Sequence, residues 1–112
     1  MVTSGTHLSA DKCLKSGLID KMASENQLLE DSTSFAKEIL ANNRPLKKVR
    51  DMDEKVIAAR GNDQLFSDFR KSIARKTRGF LAPEYNIQCI EAAVNKSFEE
   101  GIKVERDLFL KL

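Results

Sequence analysis

Apolar residues recur at three- and four-residue steps almost throughout this chain, and no run of alternating β-branched residues marks a strand. The pattern predicts an all-α fold, a small bundle of about four to five helices ending in a long C-terminal helix. Ser9 is a good N-cap, Asp11 lies in the first turn and Lys15 near the end, and Gly17 suits the left-handed position that closes a helix, so the first helix is expected over residues 10 to 16. Ser24 and Gln27 have the spacing of a capping box. Beyond them Leu28, Ser32, Phe35, Ala36, Ile39 and Leu40 fall on one face of a second helix, expected over 25 to 42 and stopped ahead of Pro45.

A third helical region opens near Asp51 or Asp53 and carries Met52, Val56 and Ala59. Gly61, Asn62 and Asp63 predict a break there, with Asp63 capping a new start. Leu65, Phe66, Phe69 and Ile73 then continue an apolar face to about Thr77, and Gly79 ends it. The last segment places Pro83 in a first turn and aligns Ile87, Ile90, Val94, Phe98, Ile102, Phe109 and Leu112 on one stripe. Unbroken, about 28 residues at ~1.5 Å rise make a rod of ~42 Å. That exceeds what a compact domain of this size needs, so one end is expected to pack on something outside these residues.

Composition narrows the functional classes. A chain of 112 residues has one domain's worth of core and little room for a large enzyme pocket. The formal net charge is only +2, so no global field favours nucleic acid or an anionic membrane, and neither is expected as a partner. With no apolar run of spanning length and no leader pattern, a soluble intracellular protein is expected. Cys13 and Cys89 lie far apart without the close spacing of zinc ligands, which predicts reduced, half-buried thiols and no metal site.

Catalysis needs a nucleophile with a base, or two carboxylates in separated environments. The single histidine, His7, sits in an N-terminal turn, and Glu99 and Glu100 are adjacent, so on a helix they point ~100° apart as a solvated face. No catalytic residue is predicted. One cluster is more informative. The stretch "FRKSIARKTRGF", residues 69 to 80, gathers Arg70, Lys71, Arg75, Lys76 and Arg78 with no acid among them. A helix face presenting Lys71, Arg75 and Arg78 could hold phosphates. The alternatives are a solvated basic face near a helix C-terminus, the phosphate of a nucleotide-bearing cofactor, or nucleic acid. The long C-terminal stripe admits a coiled-coil reading, but Gly101, Cys89 and Ala92 suit packing inside a bundle better.

Two longer motifs carry a resemblance. "MVTSGTHLSADKCLKSGLIDKMAS" resembles the stretch of enoyl-CoA hydratases, the crotonase superfamily, that leaves the spiral core and enters the C-terminal helices; Gly5, Ala10, Gly17, Leu18, Ile19 and Asp20 carry it. "APEYNIQCIEAAVNKSFEEGIKVERDLFLKL" is similar to the linker helix of multifunctional fatty-acid oxidation enzymes of the hydratase/3-hydroxyacyl-CoA dehydrogenase type, through Ala82, Pro83, Ala92, Ala93, Gly101, Ile102, Glu105, Phe109 and Leu112. Between them the match is in helix pattern and in "LFSDF" and "RGFLAP".

The resemblance implies a C-terminal helical region of a crotonase-type hydratase over 1 to 80 and a linker helix over 81 to 112. It implies a parent lyase that hydrates 2-trans-enoyl-CoA with two glutamates and an oxyanion hole, and a dehydrogenase half with a Gly-rich dinucleotide fingerprint. None of those catalytic elements lies in this chain, so it is expected to be inactive alone and to hold no cofactor of its own. Its expected partners are the crotonase core and dehydrogenase domain of the parent, and self-association is expected of the isolated module. Lys71, Arg75, Lys76 and Arg78 are expected to contact coenzyme A phosphates, with Phe66 and Phe69 near the adenine or acyl channel. The implied compartment is the cytoplasm in a bacterium and the peroxisome in a eukaryote.

Overall fold

A computed structural model describes all residues, 1 to 112. It is entirely helical, with helices α1 (Ala10–Ser16), α2 (Leu28–Ala41), α3 (Glu54–Ile57), α4 (Asp63–Ile73), α5 (Ala82–Asn95) and α6 (Phe98–Phe109), and a 3-10 turn at Val49–Asp51. The all-α expectation therefore holds. The chain divides into two compact units, one of His7–Lys48 and one of Met1–Thr6 with Val49–Leu112.

In the His7–Lys48 unit, α1 forms where its signals place it. The Ser9 hydroxyl accepts from the Lys12 amide, and Gly17 closes the helix at φ 81° while its N–H and that of Leu18 reach back to carbonyls of the last turn. The expected Ser24–Gln27 capping box does not form. Asn26 takes a left-handed φ of 62°, residues 24 to 27 make a turn, and the Ser24 amide donates instead to the Asp31 carboxylate at 2.7 Å. α2 thus starts three residues later than expected. It ends at Ala41 because the Asn42 side chain caps the Glu38 carbonyl at 2.9 Å and Asn43 turns left-handed at φ 46°. Along its apolar face Phe35 and Ile39 are half-buried, but Leu28 and Leu40 are 72% and 76% exposed.

The second unit holds the core. Phe66 from α4 and Ile87 and Val94 from α5 are buried, and Val56, Ala59 and Ile73 pack against them. Burying Ile87, which is 2% exposed, is worth about 2 kcal/mol. The break at 61 to 63 is real: Gly61 sits at φ 75°, and the Asn62 side chain, rather than Asp63, caps α4 by accepting from the Leu65 amide. Pro83 lies in the first turn of α5 as expected.

The expected C-terminal rod is two helices. Lys96 and Ser97 are extended, at ψ 167° and 159°, and a complete capping box starts α6: the Glu100 amide donates to the Ser97 hydroxyl while the Glu100 carboxylate accepts from the Ser97 amide at 3.1 Å. Two orphan donors are satisfied where a continuous helix would have none free, so the local signal interrupts a stripe that otherwise runs through it. α6 then folds back along α5, with Gly101 against Ala93 and Cys89 facing Glu105.

Only Phe66, Ile87, Ala92, Val94 and Leu108 are buried hydrophobics, and the accessible surface is 9459 Å². A folded monomer of this size exposes about 6,200 Å², and two separate bodies of these sizes roughly 7,400 Å². Much apolar surface is consequently without a partner within the chain.

Candidate functional site

The basic stretch singled out in the sequence spans the end of α4 and the turn into α5. Arg70, within α4, is not available to a ligand. Its Nε and Nη2 donate to Glu84 at 2.9 Å each, and its Nη1 and Nη2 to Glu91 at 2.5 and 2.9 Å. Glu84 and Glu91 stand two turns apart on one face of α5, and Gln88 between them donates to Glu84 at 3.0 Å. Hydrogen bonds donated to both carboxylates hold the guanidinium firmly protonated, and the bond from Arg70 keeps the Glu84 carboxyl below its ordinary range against the opposing effect of burial. The absence of acids within 69 to 80 was therefore no guide to the spatial surroundings, since the counter-charges arrive from 14 and 21 residues downstream.

Lys71 lies 3.5 Å from Asp68, and both are exposed. Arg75, Lys76 and Arg78 are exposed and enter no ion pair of the chain. The helical face expected to align Lys71, Arg75 and Arg78 does not form, because α4 ends at Ile73. Beyond it, the amides of Lys76 and Thr77 and the Thr77 hydroxyl all converge on the Ile73 carbonyl. Three free cations are thus carried on a turn, not on a helix. Phe80 and Leu81 follow at 69% and 61% exposure, past a left-handed Gly79 at φ 88°.

Phe66 is in the core and, with Phe69, also lines an open groove of about 280 Å³ together with Leu65, Ile87, Ile90, Met1, Val2 and Thr3. Asn86 donates to the Val2 carbonyl at 2.8 Å and so holds the N-terminal residues along this groove. Its lining side chains are apolar apart from the Thr3 hydroxyl, so it can accept apolar groups. His7 is exposed, Glu99 pairs with Arg50, whose guanidinium lies 4.4 Å from the Phe98 ring centre, and Glu100 serves the α6 cap. The capping bonds from Ser97 depress the Glu100 carboxyl. Cys13 and Cys89 are free, half-buried thiols, as expected, and burial pushes the Cys89 thiol up. No group of three or more His, Cys, Asp and Glu side chains comes together, and no helix is long and apolar enough to cross a membrane.

Sequence reasoning also missed a latch at the other end of α5, where Arg60 Nε donates to the Val94 carbonyl and the Gly61 amide to Asn95 Oδ1, both at 3.0 Å.

The site thus comprises an exposed basic turn and an open apolar groove, and comparison with known proteins gives it relatives. All 112 residues align with a peroxisomal bifunctional enzyme of Cavia porcellus at 35% identity, and with that of Homo sapiens at 32%. A fatty acid oxidation complex subunit alpha of Shewanella loihica is 34% identical over 97% of the chain. The homologues of this chain are thus peroxisomal bifunctional enzymes and fatty acid oxidation complex alpha subunits, matched over one short segment. The chain spans about 15% of the length of these curated relatives. No protein-family profile matches it, and no solved structure does.

Proposed function

We propose that this chain is a non-catalytic helical module of a fatty-acid β-oxidation enzyme of the enoyl-CoA hydratase/3-hydroxyacyl-CoA dehydrogenase type, supporting the acyl-CoA site of a crotonase-type core and joining it to the next domain. The observation that carries the reading is its full-length alignment with one short stretch of bifunctional relatives. The sparse core and the large exposed residues Leu28, Leu29, Leu40, Leu46 and Val49 agree with it, because such faces are unfavourable in water and fit packing against a larger body. In this reading residues 1 to 80 correspond to the hydratase side and 81 to 112 to the linker, now a helical hairpin. The compartment follows the relatives, peroxisomal in a eukaryote and cytoplasmic in a bacterium.

Lys71, Arg75, Lys76 and Arg78 are assigned to the phosphates of coenzyme A. Arg75, Lys76 and Arg78 support this because nothing in the chain neutralises them, and Arg70 is excluded because Glu84 and Glu91 hold it.

Sedimentation of the isolated chain with and without excess coenzyme A tests the module reading. A concentration-dependent dimer or larger species, with no hydratase activity, is expected, since self-association would cover the open faces. A stable monomer over the whole concentration range would instead indicate a self-sufficient helical adaptor. In the full-length enzyme, Lys71→Ala with Arg75→Ala should raise KM for the acyl-CoA; an unchanged KM removes the phosphate assignment while leaving the module reading intact.

A further inference from the structure

We propose that two copies of this chain exchange α6: in each copy α5 and α6 straighten into one helix, and each α6 packs on the α5 of the other copy. The inference rests on the module reading only in expecting self-association, and it names the element that carries it.

Only Lys96 and Ser97 separate the two helices. Neither they nor their neighbours Asn95 and Phe98 are glycine or proline, so nothing in the hinge forbids a continuous helix. Ile87, Ile90, Val94, Phe98 and Ile102 also keep helical phase across it, at steps of three and four residues. Two helices joined by a bend have no need of a shared phase. Straightening gives the amides of residues 97 to 100 the carbonyls of residues 93 to 96, in place of the two capping bonds between Ser97 and Glu100.

Apart from that capping box, the bend is held by the packing of α6 on α5, where Gly101 lies against Ala93 and Leu108 is buried. Exchange keeps these contacts, because the α6 of the second copy takes the same place. Arg50, which pairs with Glu99 and covers the Phe98 ring at 4.4 Å, finds the same two side chains there. The occupant of α5 is therefore already defined by the hairpin. A foreign helix on this face would have to displace α6 and strip Leu108 of its cover. Copies that associated without exchange would leave the shared phase and the permissive hinge without a role. Closed and exchanged forms differ mainly in the hinge and in the entropy of association, so concentration selects between them: monomers keep the hairpin and dimers carry the straight helix.

The test uses the full 112-residue chain with Cys13 and Cys89 replaced by serine. One batch carries Ala93→Cys and the other Gly101→Cys, and the two are refolded together in a glutathione redox buffer. Only exchange sets position 93 of one chain within disulfide reach of position 101 of another. A covalent mixed dimer is expected, in an amount that follows the dimer fraction measured by sedimentation as concentration rises. Ser97→Ala removes the cap from both hairpins of a pair and should tighten the dimer about 30-fold. Phe98→Pro should weaken it by about 100-fold or more, because proline breaks the interior of a continuous helix. In the hairpin it suits the first position of α6, behind a Ser97 extended at ψ 159°, so the monomer should keep its far-UV circular dichroism. A monomer at every concentration overturns both the exchange and the self-association expected of the module. A dimer without the disulfide between positions 93 and 101 overturns the exchange alone. So does a dimer that Ser97→Ala fails to tighten or that Phe98→Pro leaves intact.

Discussion

Arg60 Nε donates to the carbonyl oxygen of Val94 across 3.0 Å, tying the loop ahead of α4 to the last turn of α5. The last carbonyls of a helix have no intrahelical partner and carry the negative end of its dipole, so a guanidinium there satisfies both needs. Val94 itself is a core residue, and the bond therefore fixes the end of α5 beneath the loop that sets the start of α4.

Arg60→Ala should lower unfolding free energy by about 1 to 2 kcal/mol, read as a shift in the urea midpoint. Arg60→Lys should recover only part of the loss, because it lacks the planar Nε donor. A midpoint unmoved by Arg60→Ala would mean that water replaces the guanidinium at no cost.

The Arg70 fork gives the chain an acid-sensitive term. Because Arg70 holds the Glu84 carboxyl below its ordinary 4.5, the folded state binds that proton less readily than the unfolded chain. The bond's contribution is thus complete above the ordinary value and is lost as pH falls from about 4.5 through the lowered one. The side chains are about a third exposed or more, so screening limits the pair to about 1 kcal/mol. Arg70→Ala should lower Tm at neutral pH, and the gap from the parent should narrow on going to pH ~3. A gap that is constant with pH would sink the argument.

What could be read from the sequence was what is decided locally. α1 is fixed by Ser9 and Gly17 within nine residues, and it appears over the expected span. The Arg70 network was invisible because Glu84 and Glu91 meet it only through packing of α4 on α5. The end of α4 at Ile73 was overrun for a related reason: the sequence offers no stop signal before Gly79, and only hydrogen bonding to the Ile73 carbonyl shows the turn. Leu28 and Leu40 read as part of one helix face and are largely exposed, because periodicity only shows which face is apolar and not whether the chain itself supplies a cover. The Ser97–Glu100 capping box was legible, since its spacing and the following Phe98 are plain in the sequence, but the longer stripe masked it.

Gly101 faces Ala93 in the α5–α6 hairpin, and its substitution should stabilise. A methyl built there meets Ala93 backbone atoms at 4.0 Å, an ordinary contact. Alanine is also the better helix former by about 0.8 to 1 kcal/mol. Gly101→Ala should accordingly raise the urea midpoint by an amount equivalent to about 0.5 to 1 kcal/mol. A fall in stability would show that α5 and α6 approach more closely than this.

The hairpin itself makes a sharper prediction, because it differs from a continuous helix by distance. Tyr85 and Leu112 line one groove between α5 and α6. Were residues 82 to 112 one helix, those two positions would lie ~40 Å apart at ~1.5 Å per residue. Spin labels at Tyr85→Cys and Leu112→Cys, with Cys13 and Cys89 replaced by serine, should report less than half that distance by pulsed electron resonance. Ser97→Ala removes one side of the capping box and should cost about 1 kcal/mol. If the same variant also adds a long-distance population, the box is what holds the bend; if the distance is unchanged, packing of Leu108 and Gly101 against α5 suffices.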